Sequence, residues 1–274
     1  MSSISTATAD WLALRAPADD AARSVELAQL LARMLERDPA PHVVHDLGAG
    51  TGSMTRWLAP RLPGPQEWIL RDGDAGILAH LDLAPVADAT GRPIRSDVVV
   101  EHLAELPRGA FHGAAAVAAS ALLDVVTETE AGRIVAACVD ARTPAFFSLT
   151  VTGHVRLRPG RDAVEDDLRC AFNDHQRREA DGRRMLGPDA VAVVAGLFAA
   201  AGWHVRTAAT PWRLDAEAGP LLDEWLHGWV AAAVEQRPEL AGVAAEYRRR
   251  RRAQADGGRL RATVSHEDLL AWPD

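Results

Sequence analysis

Residues 43–53, which read VVHDLGAGTGS, decide the fold. Two valines open a short apolar strand that ends at Leu47, and Gly48, Gly50 and Gly52 follow at every second position. The next residues, SMTRWLAPRL, predict a helix. A strand, a glycine turn and a helix form the opening unit of an open parallel α/β sheet, which binds ligands at the carboxyl ends of its strands. We therefore expect this turn to hold a cofactor.

The chain has 274 residues, enough for one large α/β domain or for a domain with a smaller cap. Its net charge of −8 argues against non-specific nucleic-acid binding, which depends on cationic contacts to phosphate. The basic run at residues 248–252 is interpreted as a solvated helix end. The sequence makes no prediction of oligomeric state.

Cys138 and Cys170 do not form a CxxC pair, and the histidines show no metal-ligand spacing. We therefore predict neither a disulfide framework nor a metal site. The N-terminal residues lack the basic segment and apolar core of a signal peptide. No apolar run reaches the roughly 20 residues that span a bilayer, so the expected location is the cytoplasm and no membrane partner is expected.

Apolar patterning predicts strands that alternate with helices at residues 42–47, 67–71, 98–100, 113–119, 145–151 and 204–208. This alternation favours a doubly wound, Rossmann-like α/β sheet. Residues 1–40 are predicted to be an N-terminal helical lid whose first helix is broken at Pro17. Residues 41–274 form the predicted sheet domain, and the polar segment 153–188 is a predicted substrate-side insertion. The segment DVVVEHLAEL fits either a strand or an amphipathic helix.

The glycine turn matches neither of two common phosphate-binding motifs. A P-loop requires a lysine that is missing here, and a dinucleotide turn reads GxGxxG, whereas Ser53 stands where its last glycine falls. Asp46 precedes the glycines and disfavours a pyrophosphate. S-adenosylmethionine fits instead, because it carries an ammonium group and no phosphate. Asp72, 20 positions after Gly52 (72 − 52), is predicted to meet the ribose hydroxyls.

The motif hDLGAGTGS and the acid that closes the second strand resemble the class I S-adenosylmethionine-dependent methyltransferases. The resemblance implies a seven-stranded, mostly parallel sheet with an antiparallel last strand, and an adenine-contacting group after the third strand, for which Glu101, His102 and Glu105 are the options. The segments SALLD, FNDHQRR, LGPDA and SHEDLLA also resemble the bacterial trans-aconitate-methyltransferase-like group. The residues predicted to bind the cofactor are Asp46, Gly48, Ala49, Gly50, Gly52, Asp72, Gly73, Glu101, Ser120 and Arg15.

The resemblance places SALLD, residues 120–124, between cofactor and substrate, with Ser120 and Asp124 as its polar members. Asp124 is a candidate catalytic base; a helix cap is the alternative role. Arg15 is predicted to pair with the cofactor carboxylate or an acidic substrate, and the alternative is a surface arginine. Trp11 is a predicted substrate contact in the lid. Four further tryptophans fit either the core or a pocket wall: Trp203, Trp212, Trp225 and Trp229.

Residues 171–179, AFNDHQRRE, form a predicted helix in the insertion. His175 is the second candidate base, since its charge changes near neutral pH. Asn173, Gln176 and Arg177 are predicted to bind a polar or carboxylated substrate. A solvated charged helix is the alternative interpretation.

The sequence thus predicts methyl transfer from S-adenosylmethionine to a polar small molecule. One alternative is a protein of the same fold that binds this cofactor in a different reaction or in regulation. A nucleic-acid methyltransferase is less favoured, because SALLD replaces the NPPY-type tetrapeptide after the fourth strand and the chain is acidic.

Overall fold

A computed structural model describes residues 7–160, 162–180 and 182–274. The elements of the first half, in chain order, are α1 (Ala9–Ala22), α2 (Val25–Leu35), β1 (His42–Leu47), α3 (Ser53–Leu58), β2 (Gln66–Asp72), α4 (Ala75–Leu78), β3 (Arg95–Val100), β4 (Ala116–Ser120) and α5 (Glu128–Ala141). Those of the second half are β5 (Ala145–Arg158), α6 (Val164–Gln176), β6 (Glu179–Ala180), β7 (Arg183–Arg184), α7 (Ala190–Ala200), β8 (His204–Ala209), β9 (Trp212–Leu214), α8 (Gly219–Gln236), α9 (Ala241–Asp256) and β10 (Arg261–Trp272).

The main sheet has the strand order β3-β2-β1-β4-β5-β10-β8. The pairs from β3 to β5 are parallel, whereas β10 is antiparallel to both β5 and β8. The predicted mostly parallel sheet with an antiparallel last strand is confirmed. The short strand β9 pairs with residues 262–264 of β10 and adds an eighth strand. The segment DVVVEHLAEL is strand β3 followed by a single 3-10 turn at Leu103–Glu105.

Helices cover both faces of the sheet, as in a doubly wound fold. Phe147 packs in a core with Ile134 of α5 and Phe198 of α7. Its neighbour Phe146 packs in a second core with Leu31 of α2. Because successive strand residues point to opposite faces, these two phenylalanines contribute one side chain to each layer.

A third core lies beside the sheet. The elements that form it are called the helical lobe here: α1, α6, α8, α9, β9, the second half of β5 and the first half of β10. Leu157 of β5, Leu168 of α6 and Leu222 of α8 are among its buried residues. The predicted insertion at residues 153–188 supplies the end of β5, α6 and the β6–β7 hairpin; its residues 161 and 181 lie outside the described part of the chain.

The predicted helix break at Pro17 is wrong, because α1 runs without interruption from Ala9 to Ala22. Asp19, one turn after Arg15, accepts hydrogen bonds from Arg15 Nε at 2.8 Å and from Trp212 Nε1 at 3.0 Å. These buried contacts offset the one backbone hydrogen bond that a proline removes from a helix. The first six residues of the predicted lid lie outside the described residues.

A buried carboxylate joins the N-terminal helices to the centre of the sheet. Asp268 of β10 accepts hydrogen bonds of 2.8 Å from Ser24 N, Leu149 N and Thr210 Oγ1. Leu149 has a φ of 57°, and the register between β5 and β10 shifts beside it. Among the residues that the structure describes, no helix combines the length and apolarity needed to cross a bilayer.

Candidate active site

A cavity of about 760 Å³ lies between the carboxyl edge of the sheet and the helical lobe. Gly48, Asp72 and Glu101 line it from the sheet side, immediately after β1, at the end of β2 and after β3. Trp11 of α1 and Phe172 of α6 line it from the lobe. Its volume falls in the range of small-molecule sites.

The glycine turn is built from left-handed backbone. The φ angles of Gly48, Gly50 and Gly52 are +62°, +54° and +83°, a region that side chains with a Cβ rarely adopt. A Cβ on Gly48 would also lie 2.8 Å from Leu122 Cδ1. Gly48 lines the cavity, whereas Ala49, Gly50 and Gly52 are not among its lining residues. Ala49 N instead donates to the carbonyl of Arg71 at 3.1 Å, which joins the turn to β2.

Asp72 connects the glycine turn to the end of β2 and lines the cavity together with Gly73. Its Oδ2 accepts a hydrogen bond from Gly50 N and its Oδ1 from Asp74 N, each at 2.9 Å. A carboxylate has about four acceptor sites, so two remain for a ligand. A Cβ on Gly73 would lie 2.5 Å from His102 Nδ1, so a larger residue here would displace the His102 side chain.

Glu101 lines the cavity next to Arg71. Its Oε2 accepts a hydrogen bond from Arg71 Nη1 at 2.5 Å, while Arg71 Nε donates to His45 Nδ1 at 3.1 Å. Burial, with a further effect from Arg71, lowers the pKa of His45 to about 4, so the imidazole is a neutral acceptor at pH 7. The charge of Arg71 is therefore paired with Glu101 within the protein.

Asp46 lies beneath the turn and does not line the cavity. It is fully buried, and its Oδ2 accepts a hydrogen bond from Thr55 Oγ1 of α3 at 2.7 Å. Burial raises the pKa of Asp46 to about 7. The structure thus places this carboxyl as an internal anchor for α3, not as the ligand-facing anion expected from the sequence.

The N-terminal arginine that reaches the turn is Arg23, which no sequence motif marks. Its buried Nη2 donates to Ser53 Oγ at 2.9 Å and to Ser120 Oγ at 3.1 Å. Ser120 is not among the cavity-lining residues. Arg15 does line the cavity, but its guanidinium pairs with Asp19 at 2.8 Å.

Asp124 lines the cavity after β4, as SALLD predicted. Its Oδ1 is buried and has no hydrogen-bond partner among the described residues. Burial raises the pKa of Asp124, which makes this carboxylate a stronger base than an exposed one. Ala121 and Leu122 of the same segment line the cavity beside it.

Helix α6 presents Phe172 and Gln176 to the cavity, two residues that the helical pattern places on one face. Gln176 Oε1 is buried and has no partner within the described chain. Phe172 is a contact that the predicted substrate residues did not include. The predicted contact Trp11 lines the same cavity.

The other polar residues of α6 form structural contacts and do not line the cavity. Asn173 Nδ2 donates to the carbonyl of Gly153 at 3.1 Å, and Arg177 pairs with Asp189 at 2.6 Å. His175 is buried, with Nε2 3.3 Å from Glu235 Oε2. Arg178 Nη1 lies 3.0 Å from its Nδ1. Burial lowers the pKa of His175. The structure therefore does not place His175 where it would contact an acceptor.

Of the tryptophans that fitted either core or pocket wall, three line the cavity: Trp212, Trp225 and Trp229. Trp203 packs in the core against Phe198 of α7. The sequence gave no indication that Trp212 of β9 meets Trp225 and Trp229 of α8 at one site, because these residues are separated along the chain. His266 of β10 also lines the cavity, and burial lowers its pKa to about 3.

The doubly wound, Rossmann-like fold of this chain is shared with solved structures of other proteins. A cyclopropane-fatty-acyl-phospholipid synthase-like protein from Lactobacillus casei superimposes with a TM-score of 0.50 and 14% identity, over 97% of this chain and 94% of that one. This likeness confirms the predicted fold class.

Two further solved structures are similar to the chain at lower scores. A cyclopropane synthase from Mycobacterium tuberculosis has a TM-score of 0.48 and 14% identity, over 89% of this chain and 82% of that one. A methyltransferase from Geobacter sulfurreducens, in complex with S-adenosyl-L-homocysteine, has a TM-score of 0.42 and 16% identity, over 92% of both chains. No family model matches the chain, and no curated protein matches it.

Proposed function

We propose that this protein transfers the methyl group of S-adenosylmethionine to a small molecule that carries a polar accepting group. The observation that carries the proposal is the position of Asp72. Its carboxylate is hydrogen-bonded to the glycine turn at Gly50 N and stands in a cavity of about 760 Å³ beside Glu101. Carboxylates in this position suit the hydroxyl groups of a ribose.

The charges around the cavity favour a cofactor without phosphate. The chain contains no lysine. The arginines among the described lining residues are each paired with a carboxylate: Arg15 with Asp19, Arg71 with Glu101 and Arg183 with Glu130. A pyrophosphate would find no unpaired arginine among the described lining residues, whereas the acidic lining residues Asp72, Glu101 and Asp124 favour a ligand that carries positive charge. The residues therefore fit S-adenosylmethionine better than a dinucleotide.

When bound, S-adenosylmethionine supplies a methyl group on a sulfonium, which a nucleophile attacks in line. Asp72 would hold the ribose hydroxyls, and Glu101 stands next to the position of the base. The tight backbone at Gly48 allows close approach of the methionine part. The protein contributes position and the exclusion of water, and these supply much of the acceleration of such a displacement.

Asp124 is the proposed proton acceptor. A hydroxyl or protonated amine loses a proton as it becomes a methyl acceptor, and the unpartnered Oδ1 of Asp124 can take it. Because burial raises the pKa of Asp124, its conjugate acid is stable enough to hold that proton during the reaction. Positioned bases contribute about 10²–10⁴-fold to rates.

A cofactor-binding regulator, or an enzyme that uses the cofactor in another reaction, is the second candidate function. The unpartnered Asp124 Oδ1 favours methyl transfer over a purely regulatory site. A nucleic-acid substrate is disfavoured by the net charge of −8 and by the paired arginines of the cavity. A cytoplasmic setting, in which Cys138 and Cys170 stay reduced, is part of the proposal.

Methyl transfer from labelled S-adenosylmethionine to a panel of phenols, carboxylic acids and amines tests the proposal. The wild type is expected to methylate at least one class. Asp124→Asn is expected to lower kcat about 10²-fold while the Kd of the cofactor stays within about two-fold. Glu128→Gln, an exposed neighbour in α5 outside the cavity, is the control and retains activity. Cofactor binding without transfer to any class would favour the second candidate function.

A further inference from the structure

Aromatic side chains form much of the cavity surface that the helical lobe contributes. This aromatic wall consists of Trp11, Phe172, Trp212, Trp225 and Trp229. The ring centroids of Trp225 and Trp229 lie 5.7 Å apart with planes 16° from parallel. Those of Trp11 and Trp212 lie 6.4 Å apart with planes at 60°. The wall thus contains two pairs of contacting rings.

The rings of the wall are held in place by their surroundings. Trp225 and Trp229 stand one helical turn apart on α8 and are 8% and 2% exposed. Trp212 is held by the hydrogen bond from its Nε1 to Asp19 Oδ1. Trp11 and Phe172, which are partly exposed, supply the more accessible part of the wall, and the buried indoles fix its shape. Fixed aromatic rings contact a flat apolar ligand at a small cost in conformational entropy. The wall therefore favours an acceptor with a ring system.

Four polar atoms of cavity-lining residues lack partners within the described chain: Asp124 Oδ1, His266 Nδ1, Gln176 Oε1 and Trp229 Nε1. The last two are on helices of the lobe. Gln176 Oε1 is an acceptor and Trp229 Nε1 is a donor, and both are buried. They belong to α6 and α8, which pack together in the helical lobe. A hydroxyl group donates one hydrogen bond and accepts others, so it can satisfy both kinds of atom. A ligand hydroxyl would remove the penalty of leaving these groups unmet.

The charges of this part of the cavity disfavour an ionised acceptor. Arg15 and Arg183 are already paired with Asp19 and Glu130, so a carboxylate or phosphate would gain no free cation and would face Asp124. An ammonium group is disfavoured as well, because it only donates hydrogen bonds and so leaves the Trp229 Nε1 donor unmet.

From the aromatic wall, the unmet donor and acceptor, and the paired arginines we infer that the methyl acceptor is an uncharged, ring-bearing hydroxyl compound of the phenol type. The inference rests on the proposed function and narrows its substrate class. The hydroxyl oxygen forms a bond to the methyl carbon while the carbon–sulfur bond breaks, with its electron pair left on sulfur. The hydroxyl hydrogen, which Gln176 Oε1 accepts in the complex before reaction, is transferred to Asp124 as the oxygen–carbon bond forms. The products are a methyl ether and S-adenosylhomocysteine.

Three probes with the same ring system and different charge test the inference: naphthol, naphthoate and naphthylmethylammonium, the form of naphthylmethylamine at neutral pH. Each is titrated by calorimetry into the full chain saturated with S-adenosylhomocysteine. Naphthol is expected to bind about ten-fold more tightly than either charged probe, because only a hydroxyl both donates to Gln176 Oε1 and accepts from Trp229 Nε1. Equal or tighter binding of naphthoate or of the ammonium probe would overturn the inference.

Two variants connect the affinity to the named residues. Gln176→Leu removes the unmet acceptor and Trp225→Leu removes one ring of the wall; each is expected to weaken naphthol binding about five- to ten-fold. Trp272→Leu is the matched control, because Trp272 stacks on His204 outside the cavity, and it keeps wild-type affinity. Unchanged affinity in both cavity variants would contradict the inference. Binding of S-adenosylhomocysteine is measured first. If it binds and the probes do not behave as expected, the inference fails; if it does not bind, the proposed function fails.

Discussion

The carboxylate of Asp72 accepts a hydrogen bond from the backbone nitrogen of Gly50 over 2.9 Å. This bond joins the two sequence features that define the candidate cofactor site, the glycine turn after β1 and the acid at the end of β2. It holds the carboxylate at the cavity while leaving acceptor capacity for a ligand. The two features are therefore one physical unit.

Asp72→Ala is expected to raise the Kd for S-adenosylmethionine about 10–100-fold, because charge-assisted hydrogen bonds to a ligand contribute about 1.5–3 kcal/mol. Calorimetric titration measures the change. Asp74→Ala is the control: Asp74 caps α4 through Gly76 N and lies outside the cavity. It should lower the free energy of unfolding by about 1 kcal/mol and leave cofactor affinity unchanged. Equal losses of affinity in both variants would contradict a direct role for Asp72.

Gly48→Ala is expected to lower the free energy of unfolding by about 1–2 kcal/mol and to weaken cofactor binding. The new Cβ would sit at a φ of +62° and 2.8 Å from Leu122 Cδ1. Gly132→Ala, within α5 and with no atom near the new Cβ, should instead stabilise the protein by up to about 1 kcal/mol. Urea unfolding of both variants checks the pair. Wild-type stability and affinity in Gly48→Ala would count against the tight turn.

Asp46 is expected to make stability depend on pH. Burial raises its pKa from 3.8 to about 7, so between these values the folded state holds a proton that the unfolded state has lost. Its protonation therefore stabilises the fold below about pH 4, and this contribution disappears as the pH rises to about 7. The measurement is the free energy of unfolding of the wild type and of Asp46→Asn as a function of pH. The difference, wild type minus variant, should fall by about 1.4 kcal/mol for each pH unit between about pH 4 and pH 7. A difference that does not change with pH would refute the assignment.

His175→Gln is expected to leave kcat within about two-fold of wild type and to lower the free energy of unfolding by about 1–2 kcal/mol. The imidazole contacts Arg178 and Glu235 and does not line the cavity. Steady-state methyl transfer beside thermal unfolding distinguishes the two effects. A loss of kcat as large as that of Asp124→Asn, with normal stability, would make His175 the base.

The sequence predicted the sheet side of the site well because its signals are local. A strand, three glycines and an acid at the next strand end require one backbone arrangement, and β1, the turn and Asp72 occur as expected. The exceptions are Asp46, whose role depends on burial beneath α3, and four other predicted cofactor residues that do not line the cavity: Ala49, Gly50, Gly52 and Ser120.

The lobe side was predicted less well because it depends on tertiary packing. The helical pattern grouped Phe172 with Gln176, but only the packing of α6 shows that this face meets the cavity. The uninterrupted helix at Pro17 also depends on tertiary packing, because Trp212 of the distant strand β9 donates a hydrogen bond to Asp19 in the same helix. Contacts of this kind leave no periodic signal in a single sequence.

A calorimetric titration of the purified protein with S-adenosylmethionine, with NAD titrated in parallel, tests the proposed cofactor most directly. We expect one site per chain with a Kd in the micromolar range for S-adenosylmethionine and no heat with NAD, because the arginines among the described lining residues are paired with carboxylates and leave no cation for a pyrophosphate. No binding of S-adenosylmethionine at millimolar concentration, or binding of NAD in its place, would contradict this proposal.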